Sequence, residues 1–168
     1  MFQIDDMVVH KTGGVFVVKE ITDMNFGTGV RKYFILNPYF SKIAKTNTKI
    51  YVPQDSAQSL MRYILNEDDV YSLIDNIPDY EVEWIHDIKK RKARYDEVLH
   101  SVDLSLHLRM LKNLYYQKEE CRANNKILST TDSDMYDKLC NSIYQEFASV
   151  LNIDYKEVEG FIRKRINN

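Results

Sequence analysis

The chain has 168 residues, and its 23 Lys and Arg against 25 Asp and Glu give a net charge of −2. This balance excludes a uniformly basic nucleic-acid coat protein. A content of 44% hydrophobic residues with 5 Gly and 3 Pro is that of a folded chain, not of a disordered or fibrous one. No apolar run approaches the roughly 20 residues that cross a bilayer, and the N-terminus lacks a basic stretch followed by an apolar one. We therefore expect a cytoplasmic protein with no membrane partner.

Residues 1 to about 60 have the composition of short β-strands. The runs 7–10, 15–21, 31–36 and 49–52 are rich in β-branched and aromatic residues, which fit a half-buried pleated surface. Turn residues separate these runs, and about sixty residues are too few to bury two sheets. We therefore predict one strongly curved antiparallel sheet that closes into a small SH3-like or Tudor-like barrel. Such barrels are usually binding modules, although fold alone does not fix function.

Beyond residue 60 the hydrophobic period changes from that of strands to that of helices. A helix is expected from about Trp84 to Leu99. The other expected helix starts are the N-caps Asn66 and Asp103, the segment 131–134 and the capping-box-like segment 154–157. The predicted fold class is therefore β then α, an α+β protein with a barrel over residues 1–60 and a helical domain over residues 61–168.

Motifs for catalysis or metal binding are not recognisable in the sequence. The 4 His and 2 Cys lack the spacing of zinc ligands, and the Gly-rich points do not continue as phosphate-binding loops. His86 and Asp87 are adjacent on an expected helix, where neighbouring side chains do not face each other. We therefore expect neither an enzyme nor a cofactor, a metal site or a small-molecule substrate.

Charge is sharply segregated around the single tryptophan of the chain, Trp84. Residues 61–83 carry one Arg and seven Asp or Glu, a local charge of −6, whereas residues 84–94 carry five Lys or Arg and one Asp, a local +4. Such a cluster is often a solvated helix face, and a Trp is often a core or interdomain anchor. Basic side chains also neutralise phosphates, and an aromatic ring can stack on a base or wedge into an opened step. At the level of these residues both interpretations stay open.

Motifs in both halves of the chain resemble one known family. In the first half they are Phe2-x-Ile4-x-Asp6-x-Val8-Val9-His10-x-x-Gly13-Gly14-Val15, Tyr33-Phe34-Ile35-Leu36 and Ile50-Tyr51-Val52-Pro53. In the second half they are Trp84 with its basic helix, Leu99-His100-Ser101-Val102-Asp103 and Glu146-Phe147-Ala148-x-Val150-Leu151. Together they resemble the CarD family of transcriptional regulators from low-GC Gram-positive bacteria. The N-terminal domain of that family is shared with the transcription-repair coupling factor.

The resemblance implies a non-enzymatic transcription regulator. In the family, the barrel docks on the β subunit of RNA polymerase through a strand edge. The helical domain places a Trp in the minor groove at the upstream edge of the promoter bubble, which favours the open complex. By position, the implied contacts to promoter DNA, which are weak and depend on the polymerase, are Trp84, Lys89, Lys90, Arg91, Lys92 and Arg94. The implied contacts to the polymerase are Met24, Phe26, Ile50 and Tyr51.

The sequence departs from the family pattern where the polymerase contacts are expected. Met24 and Tyr51 stand at positions where several relatives carry arginines, so the docking surface should be less basic and more apolar. An alternative is a protein-only adaptor, in which the barrel binds another protein and Trp84 packs between the domains.

Overall fold

The computed structural model describes residues 1–27, 29–40 and 49–167. The chain divides into two compact units, Met1–Ile64 and Leu65–Asn168. In the described ranges the first unit contains a five-stranded antiparallel sheet, and five of the six α-helices follow in the second unit. The predicted β-then-α fold class is confirmed. None of the described helices is both long enough and apolar enough to cross a membrane.

The first unit is a meander of short strands around one core. Its strands, in chain order, are β1 (Met7–His10), β2 (Val15–Asn25), β3 (Val30–Pro38), β4 (Ile50–Pro53) and β5 (Met61–Tyr63). Their order in the sheet is β4-β3-β2-β1-β5, and each neighbouring pair is antiparallel. A 3₁₀ turn and the short helix α1 (Ala57–Leu60) connect β4 to β5. This order is that of an SH3-like or Tudor-like barrel.

The core of the first unit collects the inward-facing side chains of all five strands. On β3 and β4, Phe34, Leu36 and Val52 are each at most 1% exposed and point to the same side, while Ile35 on the other side is also buried, at 7% exposed. The remaining buried members of this core are Phe2, Val8, Phe16, Val18, Ala57 and Met61.

An irregularity in β2 keeps its two halves facing the same core. Val18 pairs with Leu36 and Ile21 pairs with Phe34, yet on β2 these residues are three positions apart and on β3 only two. Lys19 is the extra residue, and the register shifts between Val18 and Glu20. Such a bulge bends the strand and increases its twist, which helps a small sheet to curve around its core.

The strands differ from the sequence prediction at two places. β2 continues to Asn25 and not to residue 21, because its outer half pairs with β3 down to the Asn25–Val30 pair. β5 lies where the sequence predicted helical structure. Its three residues are too few to show an alternating pattern, and it is fixed by pairing with β1 through contacts such as Val8 to Tyr63.

The second unit is helical. Its helices are α2 (Glu67–Asp75), α3 (Ile88–His100), α4 (Leu104–Ala123), α5 (Thr130–Leu151) and α6 (Val158–Ile166). The longest, α5, contributes Leu139, Ile143 and Phe147, which are at most 1% exposed and recur at four-residue spacing. They belong to a core that also contains Val70, Ile74, Val98, Leu108, Leu114 and Val158.

Three of the predicted helix starts are confirmed by their capping hydrogen bonds. The Asn66 side chain accepts from the N–H of Asp69, and the Asp103 carboxylate accepts from the N–H of Ser105. Asp154 and Glu157 form the predicted capping box, which opens a 3₁₀ turn that leads directly into α6. These caps satisfy N–H groups that have no partner within the helix.

The other two predicted starts differ from the structure, by four residues for α3 and by one for α5. α3 begins at Ile88 and not at Trp84, because the Asp87 carboxylate caps it by accepting from the N–H of Lys90 at 2.9 Å. Trp84 therefore lies in a non-helical segment, residues 81–87, which we call the Trp84 segment. α5 begins at Thr130, capped by Ser129, and not within the segment 131–134.

Candidate functional site

An exposed group of aromatic rings lies on the outer face of the β2–β3–β4 sheet. We call Phe26, Tyr33 and Tyr51 the aromatic patch. The ring centroid of Phe26 lies 5.2 Å from that of Tyr33 and 6.0 Å from that of Tyr51, both in edge-to-face geometry. Phe26 is 57% exposed and Tyr51 is 43% exposed. Rings packed against one another in this way form a surface that can bury apolar area on a partner.

The strand register decides which candidate polymerase contacts share this face. Tyr51 pairs with Ile35, between the inward-facing Ile50 and Val52, so it points outward. Met24 pairs with Arg31, two positions along from the Thr22–Tyr33 pair, and shares the outer face with Tyr33. The Ile50 side chain packs against the core. Of the four candidates, the structure thus brings Met24, Phe26 and Tyr51 to one surface and turns the Ile50 side chain away from it.

β4 is an edge strand of the sheet: among the described residues it pairs with β3 on one side and with no strand on the other. Tyr33 pairs with Pro53, which has no N–H and cannot take part in a pair that exchanges two N–H···O bonds. The Tyr33–Pro53 pair is therefore of the non-hydrogen-bonded kind, and alternation makes Ile35–Tyr51 the same kind. The N–H of Tyr51 consequently points away from β3.

In the second unit, contacts from α4 hold the chain on the N-terminal side of Trp84. Lys112 donates from its Nζ to the carbonyls of residues 77, 78 and 80, at distances of 2.6 to 2.9 Å. Asn113 accepts from the N–H of Glu83 through its Oδ1 at 2.9 Å. The guanidinium of Arg109 lies 4.9 Å from the ring centroid of Tyr80. The backbone that enters the Trp84 segment is thus fixed by neighbouring side chains on one face of α4.

On the C-terminal side, Arg91 of α3 contacts both the indole and the backbone beside it. Its guanidinium carbon lies 4.6 Å from the ring centroid of Trp84. Its Nη1 donates to the carbonyl of Ile85 at 2.8 Å and to the carbonyl of His86 at 3.2 Å. Trp84 is half-buried, with this guanidinium over its ring.

The other donors of Arg91 go to a buried carboxylate. Nε and Nη2 donate to the two oxygens of Asp132 at 2.9 and 3.2 Å. The side chain of Arg91 is 11% exposed and that of Asp132 is 5% exposed. Asp132 also accepts from the hydroxyl of Tyr95 at 2.8 Å and from that of Ser129 at 2.6 Å. We call these four residues the Arg91–Asp132 cluster.

The electrostatics keep this cluster ionised. Burial alone would raise the pKa of Asp132, but hydrogen bonds from Arg91, Ser129 and Tyr95 outweigh it and hold that pKa below its ordinary value. The hydrogen bond to Asp132 raises the pKa of Arg91. Burial, followed by the hydrogen bond to Asp132, raises the pKa of Tyr95, so its phenol stays protonated and donates. The result is a charge-assisted cluster at neutral pH.

The basic residues of α3 divide between two sides of the helix. At 100° per residue, Lys89, Lys90 and Lys92 span the side opposite the buried Tyr95 and Val98, and all three lysines are exposed. We call these three residues the lysine face. Arg91 points to the buried side. Arg94 lies between the two sides, and its Nη1 is 2.6 Å from the carboxylate of Glu97.

Sequence reasoning missed the residues that hold Trp84 in place. Lys112 holds the backbone before Trp84, and Asp132 and Tyr95 act through Arg91; none of the three was predicted as a site residue. The Ser-x-x-Asp spacing of Ser129 and Asp132 is typical of a helix start. It signals a cap and carries no information on the arginine 41 residues earlier.

Comparison with known families identifies the first unit. Residues 2–64 match the family described as CarD-like/TRCF RID domain. The match ends at the residue where the first compact unit ends, and it does not extend into the second unit. No curated protein matches the sequence significantly. In the described parts of the chain, no group of three or more His, Cys, Asp or Glu side chains is arranged to hold a metal ion.

The fold and the family match identify the first unit as an interaction domain. Its family is that of the RNA polymerase-interacting domains. Residues 2–64 thus form a CarD-like domain, as the motifs in the first half of the sequence predicted.

Proposed function

We propose that the chain is a non-enzymatic transcription regulator with two contacts. Its first unit binds the β subunit of RNA polymerase. Its second unit contacts promoter DNA at the upstream edge of the transcription bubble, where Trp84 acts as a wedge in the minor groove and stabilises the open complex. The observation that carries the proposal is the family match over residues 2–64, joined in one chain to a partly exposed Trp beside a lysine-rich helix.

The surface of the first unit supports the polymerase contact. The edge of β4 offers backbone groups for pairing with a strand of the partner. The aromatic patch lies on the outer face of the same sheet, where its rings can bury apolar area on that partner. We assign the side-chain contacts to Met24, Phe26 and Tyr51, and assign Ile50 a backbone contact.

The positions of the cations support the DNA contact. The exposed lysine face lies in the first turns of α3, directly after the Trp84 segment. Lysines in this position can neutralise phosphates next to an inserted ring. Because Arg91 is bound to Asp132, we assign the phosphate contacts to Lys89, Lys90, Lys92 and Arg94, the last of which would exchange Glu97 for a phosphate.

The lifetime of promoter open complexes tests the wedge. With the full chain added to polymerase and promoter, Trp84→Ala should shorten that lifetime roughly fivefold or more, because stacking of an aromatic side chain on a base contributes about 1 to 3 kcal/mol. Tyr116→Ala is the control for loss of an aromatic ring elsewhere in the unit, since Tyr116 is 53% exposed and lies on α4. A folded Trp84→Ala variant that leaves the lifetime unchanged would refute the wedge.

A protein-only adaptor is the second candidate. It is favoured by the half-burial of Trp84 under the Arg91 guanidinium, which is also the environment of a packing residue. In that case the barrel would bind a protein other than polymerase, and neither Trp84→Ala nor charge removal on the lysine face would change the lifetime of open complexes.

A further inference from the structure

We propose that Asp132 is the positioning residue for Trp84, acting through Arg91. The buried carboxylate fixes the guanidinium, and the guanidinium fixes both the indole and the backbone that follows it. The effect of Asp132 on DNA rests on the proposed function of Trp84, whereas its effect on the mobility of the indole does not.

The donor geometry of Arg91 leaves little freedom. Nε and Nη2 bind the two oxygens of Asp132, while Nη1 binds the carbonyls of Ile85 and His86. The plane that makes these four bonds also lies over the indole ring of Trp84. A planar fork can satisfy all of these contacts at once, and a lysine ammonium cannot.

The orientation of Asp132 is fixed by groups other than Arg91. The hydroxyls of Ser129 and Tyr95 donate to it, and Tyr95 is itself 4% exposed. Ser129 is also the N-cap of α5, so the carboxylate is anchored to the start of the longest helix in the unit. The chain of contacts therefore runs from a rigid helix end, through one carboxylate and one guanidinium, to the indole.

This arrangement matters because the Trp84 segment is not helical and makes no backbone ladder of its own. The side chains on α4 hold the segment only as far as Glu83. After Trp84, the backbone is held by Arg91 at Ile85 and His86. An aromatic ring whose orientation is fixed before binding loses less conformational entropy when it enters DNA.

The single Trp of the chain makes the first part of the proposal directly measurable. In the full-length wild-type protein, time-resolved fluorescence anisotropy should show an indole whose local rotation is strongly hindered. Free rotation on the picosecond-to-nanosecond timescale, which is usual for unrestrained side chains, would overturn the proposal without any variant.

Two substitutions disrupt the contact between Arg91 and Asp132, one on each partner. Asp132→Asn removes the charge that orients the guanidinium, and Arg91→Lys keeps the positive charge but removes the fork. Both should increase the local motion of the indole. Far-UV circular dichroism establishes which variants are folded, and if Asp132→Asn does not fold, Arg91→Lys and the wild-type measurement decide. A folded variant with an unchanged anisotropy decay would overturn the proposal.

A second contact between a carboxylate, an arginine and an aromatic ring provides a control for the substitution Asp132→Asn. Arg165 donates to both oxygens of Asp75 at 2.6 and 2.8 Å, and its guanidinium carbon lies 4.3 Å from the ring centroid of Tyr71. This is the same carboxylate–arginine–aromatic arrangement in the same unit, without the Trp. Asp75→Asn should therefore leave both the motion of Trp84 and the lifetime of open complexes unchanged, and a change equal to that of Asp132→Asn would overturn the proposal.

Open-complex lifetimes separate failure of this inference from failure of the proposed function. If Trp84→Ala leaves the lifetime unchanged, the wedge is refuted, and the anisotropy result still decides whether Asp132 positions the indole. If Trp84→Ala shortens the lifetime, folded Asp132→Asn should shorten it toward the same value and have no further effect in a Trp84→Ala background. An unchanged lifetime in Asp132→Asn alone, or an equal further loss in the double variant, would overturn the action of Asp132 through Trp84.

Discussion

His10 is a buried titratable residue in the first unit. It is 6% exposed, and its ring lies edge-on to Phe16 with the centroids 6.2 Å apart. Burial, and to a smaller extent the charge of Lys11, lowers the pKa of His10 below its ordinary value of 6.5. The folded protein therefore favours the neutral imidazole.

We expect this histidine to make stability depend on pH. Because the pKa of His10 is lower in the folded than in the unfolded chain, the unfolded chain takes up the proton first. The free energy of unfolding should therefore fall as the pH drops below about 6.5, until the pH passes the folded pKa. Urea unfolding midpoints at about pH 7.5 and about pH 5.5 measure this, with His10→Gln as the variant that should lose part of the dependence.

His100→Gln is the control, because His100 is exposed. Equal pH dependence of the wild type and His10→Gln would contradict the prediction.

The residue scale also shows where sequence reasoning stops. The sequence showed a basic cluster in residues 84–94, with a local charge of +4. The sequence did not show which of these side chains face solvent. The side chain of Arg91 is largely buried because it is bound by Asp132, 41 residues away. A partner that is distant in the sequence cannot be recognised from the local pattern of charge. The sequence therefore indicated the basic cluster but not which of its members face solvent.

At the scale of elements, the edge of β4 gives a prediction about the polymerase contact. The N–H of Tyr51 points away from β3, so a proline at this position removes no bond of the β3–β4 ladder. If a polymerase strand pairs with this edge, Tyr51→Pro should bind polymerase roughly twofold to tenfold more weakly than Tyr51→Ala, the equivalent of about one backbone hydrogen bond.

Both variants lack the tyrosine ring, so their difference isolates the backbone contribution. Affinity can be measured by titrating the full-length variants onto immobilised polymerase. Equal affinities of the two variants would argue for a contact made by side chains alone.

The elements were predictable where one local signal decided them. Asn66, Asp103 and the box at 154–157 place a capping side chain directly before an apolar repeat, and these helix starts are where the sequence placed them. At Trp84 the predicted helix began four residues too early, because the Asp87 cap sets the start of α3 at Ile88. β5 was missed because a three-residue strand is specified by pairing with β1, 51 or more residues earlier in the chain, as from His10 to Met61.

At the scale of the whole molecule, the charges of the two units differ in sign. Residues 1–64 contain 8 Lys and Arg against 5 Asp and Glu, a net +3, whereas residues 65–168 contain 15 against 20, a net −5. A net negative charge opposes accumulation on DNA outside the lysine face. The second unit should therefore depend on the first for its delivery to a promoter.

This dependence can be tested by separating the units. Linking two contacts in one chain gives the second an effective concentration that reaches the millimolar range for short flexible links. At a low micromolar concentration that saturates the effect of the full chain, residues 65–168 should leave open-complex lifetimes unchanged, with or without a separate 1–64 fragment. Circular dichroism of each fragment checks that it is folded, and full activity of the 65–168 fragment would contradict the prediction.

The bulge at Lys19 bends β2 but contributes no pair to the β2–β3 ladder. Its side chain is half exposed, at 50%, so most replacements there should be silent. Loss of this codon would remove the extra residue and leave a regular ladder, in which Val18 still pairs with Leu36 and Ile21 with Phe34. Ile21 would stay in the core and Met24 on the surface that it shares with Tyr33, while the bend at the bulge would be lost. An in-frame deletion of this codon should therefore preserve the pairing of β2 with β3 and change the curvature of the sheet.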